Sequence, residues 1–208
     1  MTDGIEIDGH ELISGIPEGL RHAGTKIART LGDSGHRAWI VGGCVRDLVL
    51  GRPVEDLDLV SKARPEEVES LFERTVAVGK AFGIIVVVID GEEVEVATFR
   101  RERGYSDRRR PDAVEFADTP AEDALRRDFT CNALFLDPLD GTLQDPVGGY
   151  DDLREGLLRA VGDAVARFRE DGLRILRMAR FLAALGLEPA PGLLEAAQEE
   201  SASLDGVS

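Results

Sequence analysis

The 208-residue sequence predicts an α/β (α+β) unit followed by an all-α segment. Three observations carry this prediction. Short apolar runs rich in Val and Ile alternate with helical patterns up to about residue 137. After Pro138 the patterned stretches, from about residue 148 onward, all have helical spacing. No internal repeat or low-complexity segment points to a solenoid or a disordered chain.

The elements follow in order. Residues 18–35 read as a helix ending near Gly32 or Gly35, and Ala38 to Val41 as a short strand running into Gly42-Gly43. Cys44 to Leu50 reads as a short helix stopped by Gly51 and Pro53. Glu55 to Val60 alternates acidic and apolar residues, which is strand periodicity. Pro65 to Phe72 is a helix with Pro in its first turn. Val76 to Val78, Ile84 to Ile89 and Val94 to Phe99 are strands, the last two joined at Asp90-Gly91. Residues 100–112 are polar, arginine-rich and broken by Gly104 and Pro111, which predicts a mobile loop. Thr119-Pro120-Ala121-Glu122 has the form of a capping box with Pro at the first helical position. Asn132 to Leu136 reads as a further strand. Helices are then expected at roughly 150–156, at 162–185 with a break near Arg169, and at 190–201.

Composition narrows the function classes. No run approaches the roughly 20 apolar residues of a membrane span; the longest, Ile84 to Ile89, is strand-sized. Met1 to His10 has neither a basic region nor an apolar core, so no signal peptide is expected and the protein is placed in the cytoplasm. Cys44 and Cys131 are too few and too far apart for a disulfide framework or a zinc site, and His10, His22 and His36 lack ligand spacing. The formal net charge of −15 runs against nucleic-acid binding, which needs local positive charge. The basic residues are nearly all arginine, with lysine only at Lys26, Lys62 and Lys80, and they cluster. Arg100, Arg101, Arg103, Arg108, Arg109 and Arg110 share one segment; Arg174, Arg177 and Arg180 share another. A basic cleft on an acidic body is compatible with both facts. Nothing in the sequence specifies an oligomeric state.

The sharpest feature is Asp56-x-Asp58. Residues i and i+2 of a strand face the same way, and two carboxylates forced together are costly unless a cation neutralises them. Gly42-Gly43, at a strand-to-helix turn, lets backbone N–H groups approach a phosphate, and Arg46 lies within reach of the same anion. Together these suit phosphoryl transfer on two magnesium ions. Taken singly, Asp-x-Asp also fits a solvated edge strand, and the glycines fit an ordinary turn. Glu95 is the candidate third carboxylate, in competition with Glu92 and Glu93. Arg126-Arg127-Asp128 suits either a triphosphate contact or a helix-end ion pair. Asp171, Arg174, Arg177 and Arg180 recur every third residue of a predicted helix, so they form a slanted stripe. The stripe reads either as a solvated charged face or as an acceptor and donor fork presented to the edge of a base.

At this point the chain resembles a known family. Val41-Gly-Gly-Cys-Val-Arg-Asp-Leu-Val-Leu-Gly-Arg-Pro-Val-Glu-Asp-Leu-Asp-Leu-Val60 is similar to the head-domain signature of bacterial-type (class II) tRNA nucleotidyltransferases and poly(A) polymerases. So are Glu95-Val-Ala-Thr-Phe-Arg100, Arg126-Arg-Asp-Phe-Thr-Cys-Asn-Ala133, Asp145-Pro-Val-Gly-Gly149 and Arg167-Phe-Arg-Glu-Asp-Gly-Leu-Arg-Ile-Leu-Arg177, in the family's order across about residues 35–187. The resemblance implies a nucleotidyltransferase head with a small mixed sheet over residues 1–147 and a helical neck over 148–208. It implies Mg2+ on Asp56 and Asp58, and contact of Gly43, Arg46 and Arg127 with the incoming nucleotide. Gly42, Arg126, Asp128 and Asn132 fall in the same motifs and join the nucleotide-binding set. Asp171 and Arg174, assisted by Arg177 and Arg180, become a protein template that selects CTP or ATP. The implied reaction is attack of the tRNA 3′-hydroxyl on the α-phosphate with release of pyrophosphate. The arginine-rich segment at 100–112 matches an element of the family held to help switch between nucleotides.

Two departures bear on the activity. Poly(A) polymerases of the family usually carry two basic residues where this chain has Gly79-Lys-Ala-Phe-Gly83, so CCA addition, or a CC- or A-adding variant, is the expected activity. Family enzymes continue into body and tail domains, whereas this sequence ends at Ser208, near the end of the expected neck. The expectation is therefore that nucleotide binding survives while tRNA affinity falls. A poly(A) polymerase of the same fold and a nucleotide-binding module without turnover are the alternatives.

Overall fold

The computed structural model describes residues 8–79, 83–104 and 113–206. By proximity of its Cα atoms the chain divides into two units, Met1–Thr98 with Phe135–Gln144, and Phe99–Leu134 with Asp145–Ser208.

In the first unit, Asp8 starts helix α1 (Gly9–Ser14) by accepting the backbone N–H of His10 at 2.9 Å. Helix α2 (Glu18–Asp33) buries Leu20, Ala23, Gly24, Ile27, Ala28 and Leu31, the i, i+3, i+4 stripe of an amphipathic helix. Strand β1 (Ala38–Val41) runs into helix α3 (Gly43–Val49), followed by β2 (Asp58–Ser61), α4 (Pro65–Leu71), β3 (Thr75–Gly79), β4 (Ile84–Ile89) and β5 (Glu92–Thr98). Strands β6 (Arg100–Arg103) and β7 (Ala113–Phe116) belong to the second unit; β8 (Phe135–Leu136) and β9 (Leu143–Gln144) return to the first.

These strands make a mixed seven-stranded sheet in the order β3-β4-β5-β2-β1-β8-β9. The β2–β5 pair is parallel and the other pairs are antiparallel. All four residues of β1 are buried, as its central place demands. Asp90 (φ 53°) and Gly91 (φ 94°) turn β4 into β5 with two positive-φ residues, the geometry that suits the right-handed twist of a hairpin. Helix α2 covers β1, β4 and β5. Ile27 and Leu31 are fully buried there, each contributing about 1.5–3 kcal/mol.

In the second unit β6 and β7 form an antiparallel ribbon. Helix α5 (Pro120–Ala124) has half of the expected capping box: the Thr119 hydroxyl accepts from the Glu122 N–H at 3.3 Å, whereas the Glu122 carboxylate accepts from the Asp118 N–H at 3.0 Å, one residue before the cap. That backbone bond, with Arg101 beside it, holds the half-buried Glu122 carboxyl below its usual range. A 3-10 turn at Thr130–Asn132 precedes α6 (Gly149–Arg154), and β10 (Leu157–Leu158) pairs in parallel with β11 (Glu188–Pro189). Helices α7 (Ala164–Glu170), α8 (Leu173–Leu185) and α9 (Leu193–Glu199) follow, then a 3-10 stretch at Ser201–Gly206. Phe129, Leu158 and Phe168 are fully buried, and Phe129 meets Phe181 edge-on at 5.7 Å.

Several elements differ from their sequence reading. Arg100–Arg103 is a strand, not loop, because a two-stranded ribbon needs no buried face; its register sets Arg101 opposite Glu115, a favourable cross-strand pair. Arg108, Arg109 and Arg110 lie outside the described residues, as do residues 80–82 of the segment used to separate tRNA repair from poly(A) synthesis. The strand expected at Asn132–Leu136 is only two residues long, since the Thr130 hydroxyl is bound to Asp152 at 2.7 Å and the backbone tightens into the 3-10 turn. The break expected near Arg169 falls at Asp171-Gly172.

Candidate active site

The first group of candidate residues gathers at the C-terminal end of β1. Val41 is the register partner of Asp58. The chain leaves β1 at Gly42, directly after this pair, and enters β2 from Asp56 and Leu57, directly before it. Asp56 itself precedes β2, so the pair is not wholly strand-borne. The alternation still holds: Leu57 and Leu59 are buried, Asp56 is exposed and Asp58 half-buried. Gly42 has φ 75° and ψ −134°, a region closed to residues with a Cβ, which is why glycine must stand at this turn.

Arg46 folds back over Gly43: a Cβ built on Gly43 would lie 3.4 Å from the Arg46 guanidinium. The same guanidinium grips Asp47 with two bonds, Nε at 3.1 Å and NH2 at 2.8 Å. Cys44 lies buried beside these carboxylates, a closeness its sequence position did not reveal. Burial, then the carboxylates of Asp56, Asp58 and Asp47 in that order, push its thiol up to about 12. The thiol is therefore neutral, and it registers a strongly negative corner. Across the parallel β2–β5 pair Glu95 is the register partner of Asp58, so both side chains leave the same sheet face. Among the described residues no group of three His, Cys, Asp or Glu side chains is arranged to hold a metal.

The second group lies in the other unit. Asp123, fully buried, receives Arg126 Nε at 2.8 Å and Arg127 NH2 at 2.7 Å. Arg127 also donates to the Asn132 carbonyl at 3.1 Å. Burial opposes the charge of Asp123, but Arg127 and then Arg126 outweigh it and hold the carboxyl below its usual range. Asp128 accepts from the Phe129 N–H at 2.8 Å and from Asn132 Nδ2 at 3.2 Å, and its other oxygen takes Arg177 Nε at 2.6 Å. Thus Arg126, Arg127, Asp128, Asn132 and Arg177 form one network.

Asp171 is not on the predicted helix. It ends α7 in extended conformation (φ −143°, ψ 106°), and its carboxylate accepts the Leu173 N–H at 2.9 Å at the start of α8. Helix interiors disfavour such a local side-chain bond, so the stripe is interrupted here. Arg174 is 6% exposed; NH1 meets Glu170 at 2.8 Å and NH2 meets the Arg126 carbonyl at 3.2 Å. Arg177 and Arg180 flank the Phe181 ring at 5.2 and 4.8 Å.

Asp123 and Glu170 escaped the sequence reading although a signal was present: each stands three or four residues along the chain from an arginine that it pairs with. The Asp145-to-Gly149 motif proves to be a brace. Asp145 accepts the N–H groups of Gly149 (2.8 Å) and Tyr150 (3.0 Å), and a Cβ on Gly149 would fall on the Thr130 carbonyl. Among the described residues no helix is long and apolar enough to cross a membrane.

The mixed sheet with its helices and the glycine turn beside Asp58 define a nucleotidyltransferase head fold. Residues 38–159 match the poly(A) polymerase head domain, and the chain belongs to that family. It is 46% identical over 182 residues to the CCA-adding enzyme of Bacillus pumilus, covering 88% of this chain and 45% of that protein. The CCA-adding enzyme of Bacillus stearothermophilus in complex with CTP superposes with a TM-score of 0.83 at 39% identity, covering 93% of this chain and 46% of that one. A tRNA nucleotidyltransferase complexed with a primer tRNA and an incoming ATP analogue gives a TM-score of 0.70 at 30% identity, covering 85% and 50%. The chain thus spans about half the length of the relatives it matches. Nucleotidyltransferases of this family are generally divalent-metal dependent.

Proposed function

We propose that this chain carries the catalytic head and neck of a CCA-adding nucleotidyltransferase, which joins CMP and AMP from CTP and ATP to tRNA 3′ ends in the cytoplasm. The observation that carries the reading is the likeness to the CTP-bound CCA-adding enzyme over 93% of the chain, at 39% identity. In this reading residues 1–147 are the head and 148–208 the neck. That division is by function, and the two compact units cut across it.

The donor set at Asp56 and Asp58 fits Mg2+. Both residues offer hard oxygen ligands, the neighbouring Cys44 thiol is buried and neutral, and magnesium commonly takes one or two carboxylates with its other ligands from phosphate and water. The metal would lower the pKa of the attacking hydroxyl and offset charge on the triphosphate. Gly42 and Gly43 offer backbone N–H groups to phosphate, Arg46 supplies positive charge over Gly43, and Glu95 acts as a base or further ligand beside Asp58. A tRNA 3′-oxygen bonds to the α-phosphorus, the bond from that phosphorus to the bridging oxygen breaks, and pyrophosphate leaves. Arg126, Arg127 and Asn132 steady the nucleotide, with Asp128 bracing them. Asp171 and Arg174 select the base, with Arg177 and Arg180 beside them; Glu170 and the Arg126 carbonyl fix the buried Arg174 guanidinium, so its fork is offered to a base edge in one orientation.

The test is incubation with tRNA lacking its CCA end, and separately with unstructured RNA, plus CTP and ATP. CMP and AMP on tRNA alone support the reading. Long A-tails on any RNA with indifference to CTP identify a poly(A) polymerase instead. Magnesium-dependent nucleotide binding without product identifies a binding module.

A further inference from the structure

We infer that Asp123 is a positioning residue which aims Arg126 and Arg127 and ties the arginine-rich ribbon to them. The inference rests on the nucleotide-binding role proposed for these arginines. One carboxylate, fully buried, holds four N–H donors from three residues. Its Oδ1 takes Arg126 Nε at 2.8 Å and the backbone N–H of Arg100 at 3.2 Å. Its Oδ2 takes Arg127 Nε at 3.0 Å and NH2 at 2.7 Å. Arg100 is the first residue of β6, so the ribbon and the arginine pair share one anchor. Arg101 adds a second tie from the same strand, an ion pair with Glu122 on the same helix α5.

The chemistry favours a positioning role over simple neutralisation. Arg127 uses Nε and NH2 on Asp123 and NH1 on the Asn132 carbonyl, so its plane is fixed at three points. A guanidinium held this way keeps its charge and its fork geometry at little entropic cost when an anion arrives. Two arginines on one carboxylate leave a formal surplus of one positive charge, the sign a triphosphate needs. An amide in place of the carboxylate would remove that charge and turn an N–H group toward donors already there. Any shift of β6 at Arg100 would also reach the arginines through a single bonded atom.

The experiment measures binding of CTP and of cytidine to the full chain, as wild type, Asp123→Asn and Asp123→Glu. The expected result is at least a tenfold weaker CTP affinity in Asp123→Asn with cytidine affinity unchanged. Asp123→Glu, which keeps the charge one methylene further out, should recover part of the loss. If Asp123→Asn does not fold, Asp123→Glu carries the test through the same comparison, with an expected threefold loss for CTP alone. Equal loss for CTP and cytidine, or no loss for either, overturns the inference. Failure of the wild type to bind CTP defeats the proposed function itself and this inference with it, whereas wild-type binding with an indifferent variant defeats only the role of Asp123.

Discussion

Asp58 on β2 and Glu95 on β5 are register partners across the parallel pair of the sheet, so their side chains leave the same face. Glu95→Gln keeps the shape and removes the charge, and it leaves a fold that does not depend on this exposed residue. The expected outcome is at least a tenfold lower rate of nucleotide addition with an unchanged melting temperature. An unchanged rate in a single-turnover assay would assign the chemistry to Asp56 and Asp58 alone.

Arg174 is held by Glu170 and by the carbonyls of Arg167 and Arg126. Arg174→Ala should weaken base discrimination more than triphosphate binding, and should cost about 2 kcal/mol of stability through the partners left behind. Competition between CTP and UTP checks the first effect and urea denaturation the second. An unchanged CTP-over-UTP preference would contradict the template role.

Two glycines separate clash with backbone from clash with a side chain. A Cβ at Gly149 meets the Thr130 carbonyl, which cannot move without disturbing the 3-10 turn. At Gly24 it meets only the end of the Leu57 side chain. Gly149→Ala is expected to cost on the order of 3 kcal/mol, and Gly24→Ala about 1 kcal/mol, where helix propensity partly offsets the strain. Denaturation midpoints compare the two.

Cys44 gives a pH dependence. Burial first and the neighbouring carboxylates second push its thiol up to about 12 in the folded protein, from an ordinary thiol value of about 9.0 in the unfolded chain. Between those values the folded state holds the extra proton, so this contribution to stability is complete below about pH 9 and is lost as pH rises toward 12. The slope is about 1.4 kcal/mol per pH unit at most. Cys44→Ala should flatten the alkaline arm of a stability-against-pH curve relative to wild type.

Much of this fold was legible because its signals are local. The α2 stripe, the Asp90-Gly91 turn and the Thr119 cap each state their geometry within a few residues. The ribbon at Arg100–Arg103 was hidden, since a strand without a buried face carries no apolar period. Asp171 was misplaced because its carboxylate takes a backbone N–H that a continuous helix would not offer. Asp56 and Asp58 stood out as a pair. Their closeness to Cys44 and the register of Glu95 depend on strand order, which the spacing of residues along the chain does not encode.

The most direct test of the central claim is single-turnover transfer of CMP from CTP to tRNA lacking its CCA end, with magnesium, by wild type and by Asp58→Ala. The account predicts CMP addition by the wild type and none by Asp58→Ala, with the variant folded as shown by circular dichroism, because removing one of two crowded carboxylates relieves repulsion. Transfer by folded Asp58→Ala at the wild-type rate would contradict it.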